Sequence, residues 1–461
     1  MKIKRTICNS SAFLFLCCCA VCFGASEQQD EAVGIVLDIL KSDDQEMQAV
    51  AIAMVKDLPG TEVTKALVKE LPNLSAASQV QLLSALSDRG DAAALPAVIA
   101  AVKAGEESVR IAALKAVGQL GDESSVDLLA RTAAATRGAE QKAAREGLYR
   151  LRGSKVDKAI LAGITKAQSK TKVEMIKSAG ERNISAGVST LLKTAKDSDR
   201  KVRLESLKVL KVVAGPEHLP ALVELLLNLQ SPSDLNEARK MIASVAHKIE
   251  DKDRQADAVL AVLPSVKDVK KQCSLLSVLG KIGDSSALPR LREALGSDNI
   301  DSRGAAIRAL ADWPTSEPAA DLMKAAENSE NKVHRILALR GSVRLLALAN
   351  KRSTEEAIEM YKKAMTLAPD AGEKKRVLSG LANTKSLDAL QMATGYLQDK
   401  ALLQEAESAV VKIAGSIYEN FPQQTRDVLK KITQTTNNEA LQKQAQEVIN
   451  KIDGTSKKVE E

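Results

Sequence analysis

Aromatic side chains are scarce in this sequence. The 461 residues include one Trp, four Tyr and four Phe, and these rings make up only 2% of the chain. Because aromatic rings supply much of the buried area of a globular core, their scarcity argues against a Rossmann sheet, a β-sandwich or a large compact domain. Hydrophobic residues nevertheless amount to 45% of the chain and charged residues to 27%. This balance is typical of a long helical array, and it excludes intrinsic disorder.

Cysteine is rare outside the N-terminal region, where five of the six cysteines lie. Residues 1–25 begin with basic side chains, continue with an apolar stretch at residues 12–23 and end in Gly24 and Ala25. This order is typical of a signal peptide, so we expect an exported protein that is periplasmic or secreted. Once residues 1–25 are removed, Cys273 is the only thiol, and no intramolecular disulfide can form.

Membrane attachment is not expected for the mature chain. No segment after residue 25 approaches the roughly twenty apolar residues that a membrane-spanning helix needs. The cysteines of residues 1–25 do not follow the small-residue motif of a lipoprotein signal, which argues against a lipid anchor.

The rest of the chain is internally repetitive. A polar or cationic residue is followed one, four and seven places later by residues that are mostly aliphatic, and these three places share one face of a helix. The pattern begins six times at intervals of 31 residues, at Gln48, Gln79, Arg110, Gln141, Lys172 and Arg203. It recurs at looser spacing at Arg239, Gln272, Arg303, Arg335, Arg376, Glu405 and Gln444. We therefore expect about thirteen repeats, each containing one amphipathic helix of this kind.

Each of these helices is preceded by a shorter one, and turn signals separate the pairs. Gly-Asp joins neighbouring pairs at positions 90–91, 121–122 and 283–284, where Gly ends one helix and Asp caps the next. The pattern predicts an all-α fold, an α-solenoid of about thirteen stacked helix pairs in a right-handed superhelical array. The solenoid should occupy residues 26–454, and residues 455–461 should form a charged, flexible tail.

At residues 110–122 and 303–310 the sequence resembles the second helix of HEAT repeats. Residues 309–314 and 334–341 are similar to segments of secreted bacterial HEAT-repeat proteins. The resemblance implies a binding scaffold, and it does not imply a substrate. Some of those proteins carry a sugar-processing or cytochrome-like domain beside the solenoid, so a role as accessory subunit of a sugar-processing or redox assembly is a further alternative.

The sequence offers no constellation of catalytic, metal-binding or cofactor-binding residues. Its three histidines, His218, His247 and His334, fall in different repeats and lack helically spaced Glu partners. Cys273 has no companion thiol and falls one place after Gln272, so we interpret it as a core residue. No phosphate-binding glycine motif or nucleophile motif is present. We predict a non-enzymatic protein without a cofactor or a metal.

One candidate for partner binding surrounds the single tryptophan. Trp313 could offer an aromatic face, and nearby cationic side chains could donate hydrogen bonds to a partner. These cationic residues are His334, Arg335, Arg340 and Arg344. The alternative is that Trp313 covers an irregularity of the solenoid while the arginines are solvated or pair between repeats.

The distribution of charge suggests a second candidate. Residues 25–62 contain nine acids and two bases, a net charge of −7, whereas residues 137–215 contain nineteen bases and eight acids, a net charge of +11. Five bases lie five places after the start of the pattern, where the stacked helices should align them in a row. They are Lys115, Lys177, Lys208, Arg308 and Arg340.

A basic row of this kind could bind an acidic protein or an anionic polysaccharide, and ordinary lysine-rich solvation is the alternative. Nucleic acid is disfavoured by the export signal and by the absence of aromatic side chains among the bases. Our leading hypothesis is an exported scaffold for protein partners. Direct binding of an anionic polysaccharide or surface polymer through residues 137–215 is the second hypothesis.

Overall fold

The structure is a computed structural model that describes residues 27–42, 44–348 and 352–459. The expected signal peptide, residues 1–25, lies outside this range. The described residues form 26 α-helices joined by short turns and 3-10 helices, and they contain no β-strand. None of these helices is both long enough and apolar enough to cross a membrane.

The chain divides into two compact units, the first of which ends at Val213. The described part of the first unit contains six helix pairs. They are α1 (Glu27–Leu40) and α2 (Gln45–Met54), α3 (Thr61–Glu70) and α4 (Ala76–Arg89), α5 (Leu95–Ala101) and α6 (Glu107–Leu120), α7 (Val126–Ala135) and α8 (Gly138–Arg150), α9 (Val156–Lys166) and α10 (Ser169–Glu181), and α11 (Val188–Thr194) and α12 (Arg200–Val213).

The second unit begins at Ala214, and its described residues form seven helix pairs. They are α13 (Leu219–Asn228) and α14 (Pro232–Ala246), α15 (Asp257–Val262) and α16 (Val269–Ile282), α17 (Leu288–Leu295) and α18 (Ile300–Ala311), α19 (Ala319–Asn328) and α20 (Lys332–Leu346), α21 (Thr354–Leu367) and α22 (Ala371–Leu381), α23 (Leu387–Thr394) and α24 (Leu403–Ile417), and α25 (Pro422–Thr435) and α26 (Glu439–Val459). The thirteen pairs of the described residues confirm the predicted repeat. Residues 455–459 continue α26, so the expected tail is helical over that stretch.

Successive second helices pack side by side within each unit, from α2 to α12 in the first and from α14 to α26 in the second. Most first helices pack against the second helix of their own pair, so each unit has two helical layers. A helix pair cannot bury its apolar face alone, but the stack shares one continuous core.

The core positions differ slightly from the predicted ones. In the six regular repeats, the residues three and seven places after the starting residue are buried, from Ala51 and Val55 to Ser206 and Leu210. The residues one place after it are only half-buried, and Lys142 at this place is exposed. The place that follows the starting residue directly therefore lies at the edge of the apolar face. Cys273 occupies this place and is accordingly half-buried, which corrects its interpretation as a core residue.

The polar residue that starts the pattern closes the turn between the two helices of a pair. Gln48 Nε2 donates to the carbonyl oxygens of Leu40 at 3.1 Å and Ser42 at 2.7 Å. Gln141 Nε2 donates in the same way to Ala133 at 2.7 Å and Thr136 at 3.0 Å. Because the last carbonyls of a helix lack intrahelical donors, these side chains satisfy acceptors that would otherwise be orphaned.

This contact and the pattern of burial show where two of the loosely spaced repeats begin. In the last pair it is Gln442, not Gln444, whose Nε2 donates to the carbonyl of Thr433, at 2.8 Å. In α22 the buried residues Val377, Leu378 and Leu381 lie three, four and seven places after Lys374, so the pattern begins two residues before Arg376. The predicted starting residues Arg376 and Gln444 are therefore wrong by two positions, because the spacing there departs from 31 residues.

Neighbouring second helices approach each other closely at one recurring pair of places. The residue six places after the pattern's starting residue in one second helix packs on the residue eight places after the starting residue in the previous second helix. The pairs are Gly147 on Gly118, Val209 on Gly180, Ala309 on Gly280 and Gly341 on Ala311. A Cβ atom on Gly280 would lie 2.5 Å from the Cα of Ala309, so a side chain there would force the helices apart.

Candidate partner-binding site

The three predicted lysines of the first unit lie on its second helices. Lys115 on α6 is exposed and has no acidic partner among the described residues. Lys177 on α10 is half-buried, and its Nζ lies 3.1 Å from Glu174 Oε1. Lys208 on α12 is exposed, and its Nζ lies 3.6 Å from Glu205 Oε2. Of these three lysines, Lys115 alone therefore has no nearby carboxylate among the described residues.

The row is also interrupted. On α8, which lies between α6 and α10 in the stack, the equivalent place holds Glu146, whose carboxylate lies 3.8 Å from Lys142 Nζ. Several other bases of residues 137–215 form ion pairs within the unit, such as Lys172 with Asp197 at 2.8 Å. The exposed face of these second helices therefore carries both signs of charge, with an excess of bases.

The structure adds a cluster to this face that the sequence did not predict. Arg145 on α8 donates two hydrogen bonds, of 2.6 and 2.7 Å, to the carboxylate of Glu174 on α10. These bonds raise the pKa of the Arg145 guanidinium. Burial favours a raised pKa for the Glu174 carboxyl, but the hydrogen bonds from Arg145 and Lys177 outweigh it and hold the pKa below its usual value.

Tyr149 completes the cluster on the last turns of α8. Its ring is half-buried, and burial, followed by the negative charge of Glu174, raises the pKa of its hydroxyl to about 12. The sequence carried one signal for this cluster, because Arg145 is a charged residue at a place where the other regular repeats carry an aliphatic one. A charge at such a place is retained in a fold only when a partner neutralises it.

In the second unit, Trp313 and His334 are buried. Trp313 has an exposed fraction of 0%, and His334 has an exposed fraction of 6%. Neither ring can offer a face to a partner, so the structure contradicts the surface patch that the sequence suggested for these two residues. Arg344 on α20 is exposed, yet its guanidinium donates to the carbonyls of Ala311 at 2.7 Å and Trp313 at 2.6 Å.

His334 belongs to the contact between α18 and α20. Burial lowers the pKa of its imidazole, and the nearby charges of Arg308 and Arg303 lower it further. Arg308 itself is exposed and donates to the carbonyl of Gly304 at 2.9 Å, within its own helix. These contacts favour the neutral imidazole and hold Arg308 along the surface of α18.

Arg340 pairs across the next contact, between α20 and α22. Its Nε lies 3.1 and 3.0 Å from the two carboxylate oxygens of Glu373, and this hydrogen bonding raises the pKa of Arg340. Arg340 and Arg344 line a groove of about 430 Å³ with Arg376, over a floor that includes Val343 and Val377. Arg335 is exposed and lines a different groove, so the structure does not bring all the predicted arginines together.

The remaining candidate groups are occupied by local contacts. His218 Nδ1 accepts the backbone N–H of Gly215 at 3.1 Å, and His247 Nε2 lies 2.9 Å from the carbonyl oxygen of Ile282. Burial raises the pKa of the Cys273 thiol, which disfavours the reactive thiolate. Within the described part of the chain, no three His, Cys, Asp or Glu side chains are grouped so that they could hold a metal ion.

This two-layered stack of helix pairs defines an α-solenoid. The family model for HEAT repeats matches residues 64–148 and 256–341, so the chain contains HEAT repeats. None of the curated proteins compared with the chain matches its sequence.

Solved structures with a similar fold include karyopherins. Kap121p bound to Pho4p is 11% identical, with a TM-score of 0.55 over 94% of this chain and 55% of that one. Kap121p bound to the SUMO protease Ulp1p is 11% identical, with a TM-score of 0.54 over 91% and 53%. Kap121p bound to the extreme C-terminus of the protein phosphatase Cdc14p is 11% identical, with a TM-score of 0.55 over 91% and 53%. The chain thus spans about half the length of these structures, and at this identity the similarity concerns the fold.

Proposed function

We propose that this chain is an exported, non-enzymatic scaffold that binds an acidic protein partner through the second helices of its first unit. The observation that carries the proposal is the shared place of Lys115, Lys177 and Lys208 on helices of one stack, with Tyr149 on the intervening helix α8. Exposed cations attract an acidic surface, and a half-buried ring gives it a rigid apolar contact.

The mixed charge of this face favours a protein over a uniformly anionic polymer. Glu146 stands in the row itself, and Glu174 and Glu205 lie beside Lys177 and Lys208. A polysaccharide with a regular negative charge would be repelled at these places, whereas a protein surface can present both signs in register. Kap121p, a longer chain of similar fold, has been solved bound to the proteins Pho4p and Ulp1p, which is consistent with this use of the fold.

Export is part of the proposal and rests on the signal-like residues 1–25. It is tested separately by sequencing the N-terminus of the protein recovered from the envelope or the culture supernatant. A mature N-terminus near Ala25 or Ser26 is expected, and an intact Met1 on cytoplasmic protein would contradict export.

The binding proposal is tested by reversing charges on the two layers of one unit. In the variant Lys115→Glu/Lys208→Glu, the reversed lysines lie on second helices. In the control Lys158→Glu/Lys193→Glu, two likewise exposed lysines of the first helices α9 and α11 are reversed. Both variants change the net charge by the same amount. Lys177 is left unchanged, because its reversal would place a second carboxylate beside buried Glu174.

The protein captured from the envelope or supernatant by the unmodified chain serves as the probe. We expect Lys115→Glu/Lys208→Glu to weaken its capture at least tenfold and the control to leave it unchanged. An equal loss of capture in both variants would show that the lysine row is an ordinary solvated surface and not a binding site. A glycan array provides the complementary measurement. If the unmodified chain binds an anionic polysaccharide and Lys115→Glu/Lys208→Glu abolishes this binding, the ligand of the lysine row is the polysaccharide and not a protein.

A further inference from the structure

The first described helix pair carries an exposed apolar stripe on its second helix. Met47, Val50 and Met54 on α2 have exposed fractions of 44%, 44% and 38%. They lie one place before, two places after and six places after Gln48, which starts the pattern in this repeat. A stripe of three large apolar side chains along a helix of ten residues is unusual for a surface exposed to water.

In the interior repeats, these three places contact the previous repeat. Glu140, one place before Gln141, pairs with Arg110 on α6. Glu174, two places after Lys172, pairs with Arg145 on α8. Gly147, six places after Gln141, packs against Gly118 on α6. The stripe on α2 therefore occupies the face that receives a neighbouring second helix everywhere else in the unit, and no helix of the described residues covers it.

The last described repeat, formed by α25 and α26, has a polar outer face in place of an apolar one. On α26 the residues four and eight places after Gln442 correspond to the face that a following repeat would cover. They are Gln446 and Asn450, which are exposed and hydrogen-bonded to each other at 2.9 Å. Terminal repeats of solenoids need such a polar outer face to remain soluble. Among the described residues, the outer face of α26 is polar in this way, whereas that of α2 is apolar.

The charge around the stripe indicates what covers it. Asp44 and Glu46 lie beside its first residue, Lys56 and Asp57 follow its last one, and all four are exposed, so acids outnumber bases here by three to one. Residues 25–62 as a whole have a net charge of −7. Two copies apposed through this face would bring like charges together, and in a head-to-tail contact the stripe would meet the polar side chains of Gln446 and Asn450.

We infer that the exposed face of α2 is a second docking surface, which binds a basic amphipathic helix of a partner protein. The apolar side of that helix packs on Met47, Val50 and Met54 in the manner of a preceding second helix. Its Lys and Arg side chains face Asp44, Glu46 and Asp57. This surface is distinct from the lysine row of the proposed function, and it selects the opposite charge in its partner.

The test uses a synthetic helical peptide of eighteen residues as the probe, with Leu on one face and Lys on the other. A second peptide keeps the same Leu face and carries Glu in place of Lys. Binding of each to the protein purified from the cells that make it is followed by fluorescence anisotropy. We expect the Lys peptide to bind at least tenfold more tightly than the Glu peptide, with an affinity that falls as salt is raised.

The variant Val50→Ser/Met54→Ser removes two apolar contacts from the stripe and should weaken binding of the Lys peptide at least tenfold. Ile300→Ser/Val333→Ser is the matched control, since these two large side chains are 48% and 59% exposed elsewhere in the chain. It should leave binding unchanged. All four side chains are exposed, so unaltered thermal unfolding of both variants is expected, and it excludes misfolding as the cause.

Three results would overturn the inference. Equal affinity for the Lys and Glu peptides would show that the surface does not select a basic helix. Unchanged binding in Val50→Ser/Met54→Ser would show that the peptide does not bind at the stripe. Self-association of the unmodified chain that this variant abolishes would show that the occupant is a second copy. None of these results depends on Lys115 or Lys208, so the inference can fail while the proposed function stands.

Discussion

The carboxylate of Glu174 accepts two hydrogen bonds, of 2.6 and 2.7 Å, from the guanidinium of Arg145 on the neighbouring second helix. In the second unit, Glu373 and Arg340 join α22 and α20 in the same manner. Both carboxylates are buried and both arginines keep some exposure. Geometrically matched, bidentate pairs of this kind fix the register between two helices whose contact is otherwise aliphatic.

Replacing Glu174 by Gln should destabilise the first unit and change its response to acid. Loss of one partner from a buried ion pair costs about 3 kcal/mol in the free energy of unfolding. Because the pKa of Glu174 lies below its ordinary value of 4.5 in the folded chain, its contribution is present at neutral pH and is lost as the pH falls through the folded pKa. Urea unfolding between pH 7 and pH 3 should show a smaller loss of stability on acidification in Glu174→Gln.

Glu181→Gln is the matched control for this prediction. Glu181 lies on the same helix but is exposed, and no described residue forms an ion pair with it. Its replacement should change the free energy of unfolding by no more than about 0.5 kcal/mol. An identical pH dependence in both variants would show that Glu174 does not contribute to acid sensitivity.

Arg182 should stabilise the first unit through backbone acceptors of the previous repeat. Its Nη1 donates to the carbonyls of Tyr149 and Leu151, each at 2.8 Å, and its side chain is mostly buried. Arg182→Ala removes this donor from both carbonyls, together with the ion pair between Arg182 and Asp157 at 2.7 Å, and should cost about 2 kcal/mol. Arg150→Ala, at an exposed arginine of α8, should cost no more than about 0.5 kcal/mol. Chemical denaturation that finds the two variants equally stable would disprove this role for Arg182.

Gly118 should tolerate no side chain, because its Cβ would overlap the Cα of Gly147 on the next second helix. Gly118→Ala must push α6 and α8 apart, and we expect a loss of about 2 kcal/mol in the free energy of unfolding. Gly34 lies within α1, and outside the adjoining backbone of that helix no atom of the described residues is within 4 Å of its Cβ position. Gly34→Ala should therefore raise stability by about 0.5–1 kcal/mol, because Ala favours the helix. Destabilisation of similar size in both variants would contradict the close approach.

Trp313 provides a direct optical test of its burial, since it is the only tryptophan in the chain. Emission at short wavelength and protection from iodide quenching are expected in the folded protein, because the indole is shielded from water. Both properties should be lost together on unfolding. Red-shifted, readily quenched emission from the folded chain would place the ring at the surface, as a partner-binding patch around Trp313 requires.

The fold was largely predictable because helical periodicity is a local property of the chain. Regular spacing of 31 residues placed Gln48 to Arg203 correctly, whereas irregular spacing displaced the predicted starts at Arg376 and Gln444. The candidate site was less predictable, because the burial of Trp313 and His334 depends on which side chains the neighbouring repeats bring to them. The Lys177–Glu174 pair, three residues apart on one helix, was visible in the sequence. The hydrogen bonds that Arg145 donates to Glu174 depend on how neighbouring repeats stack, so the sequence alone does not show them.

The most direct test of the proposed function locates the bound partner on the first unit. A photo-crosslinking amino acid is introduced at residue 208 on the second helix α12 and, in a separate variant, at residue 193 on the first helix α11, both of which are exposed. We expect a crosslinked product with a captured acidic protein from residue 208 and none from residue 193. Crosslinking from residue 193 alone, or from both residues equally, would contradict binding through the second helices.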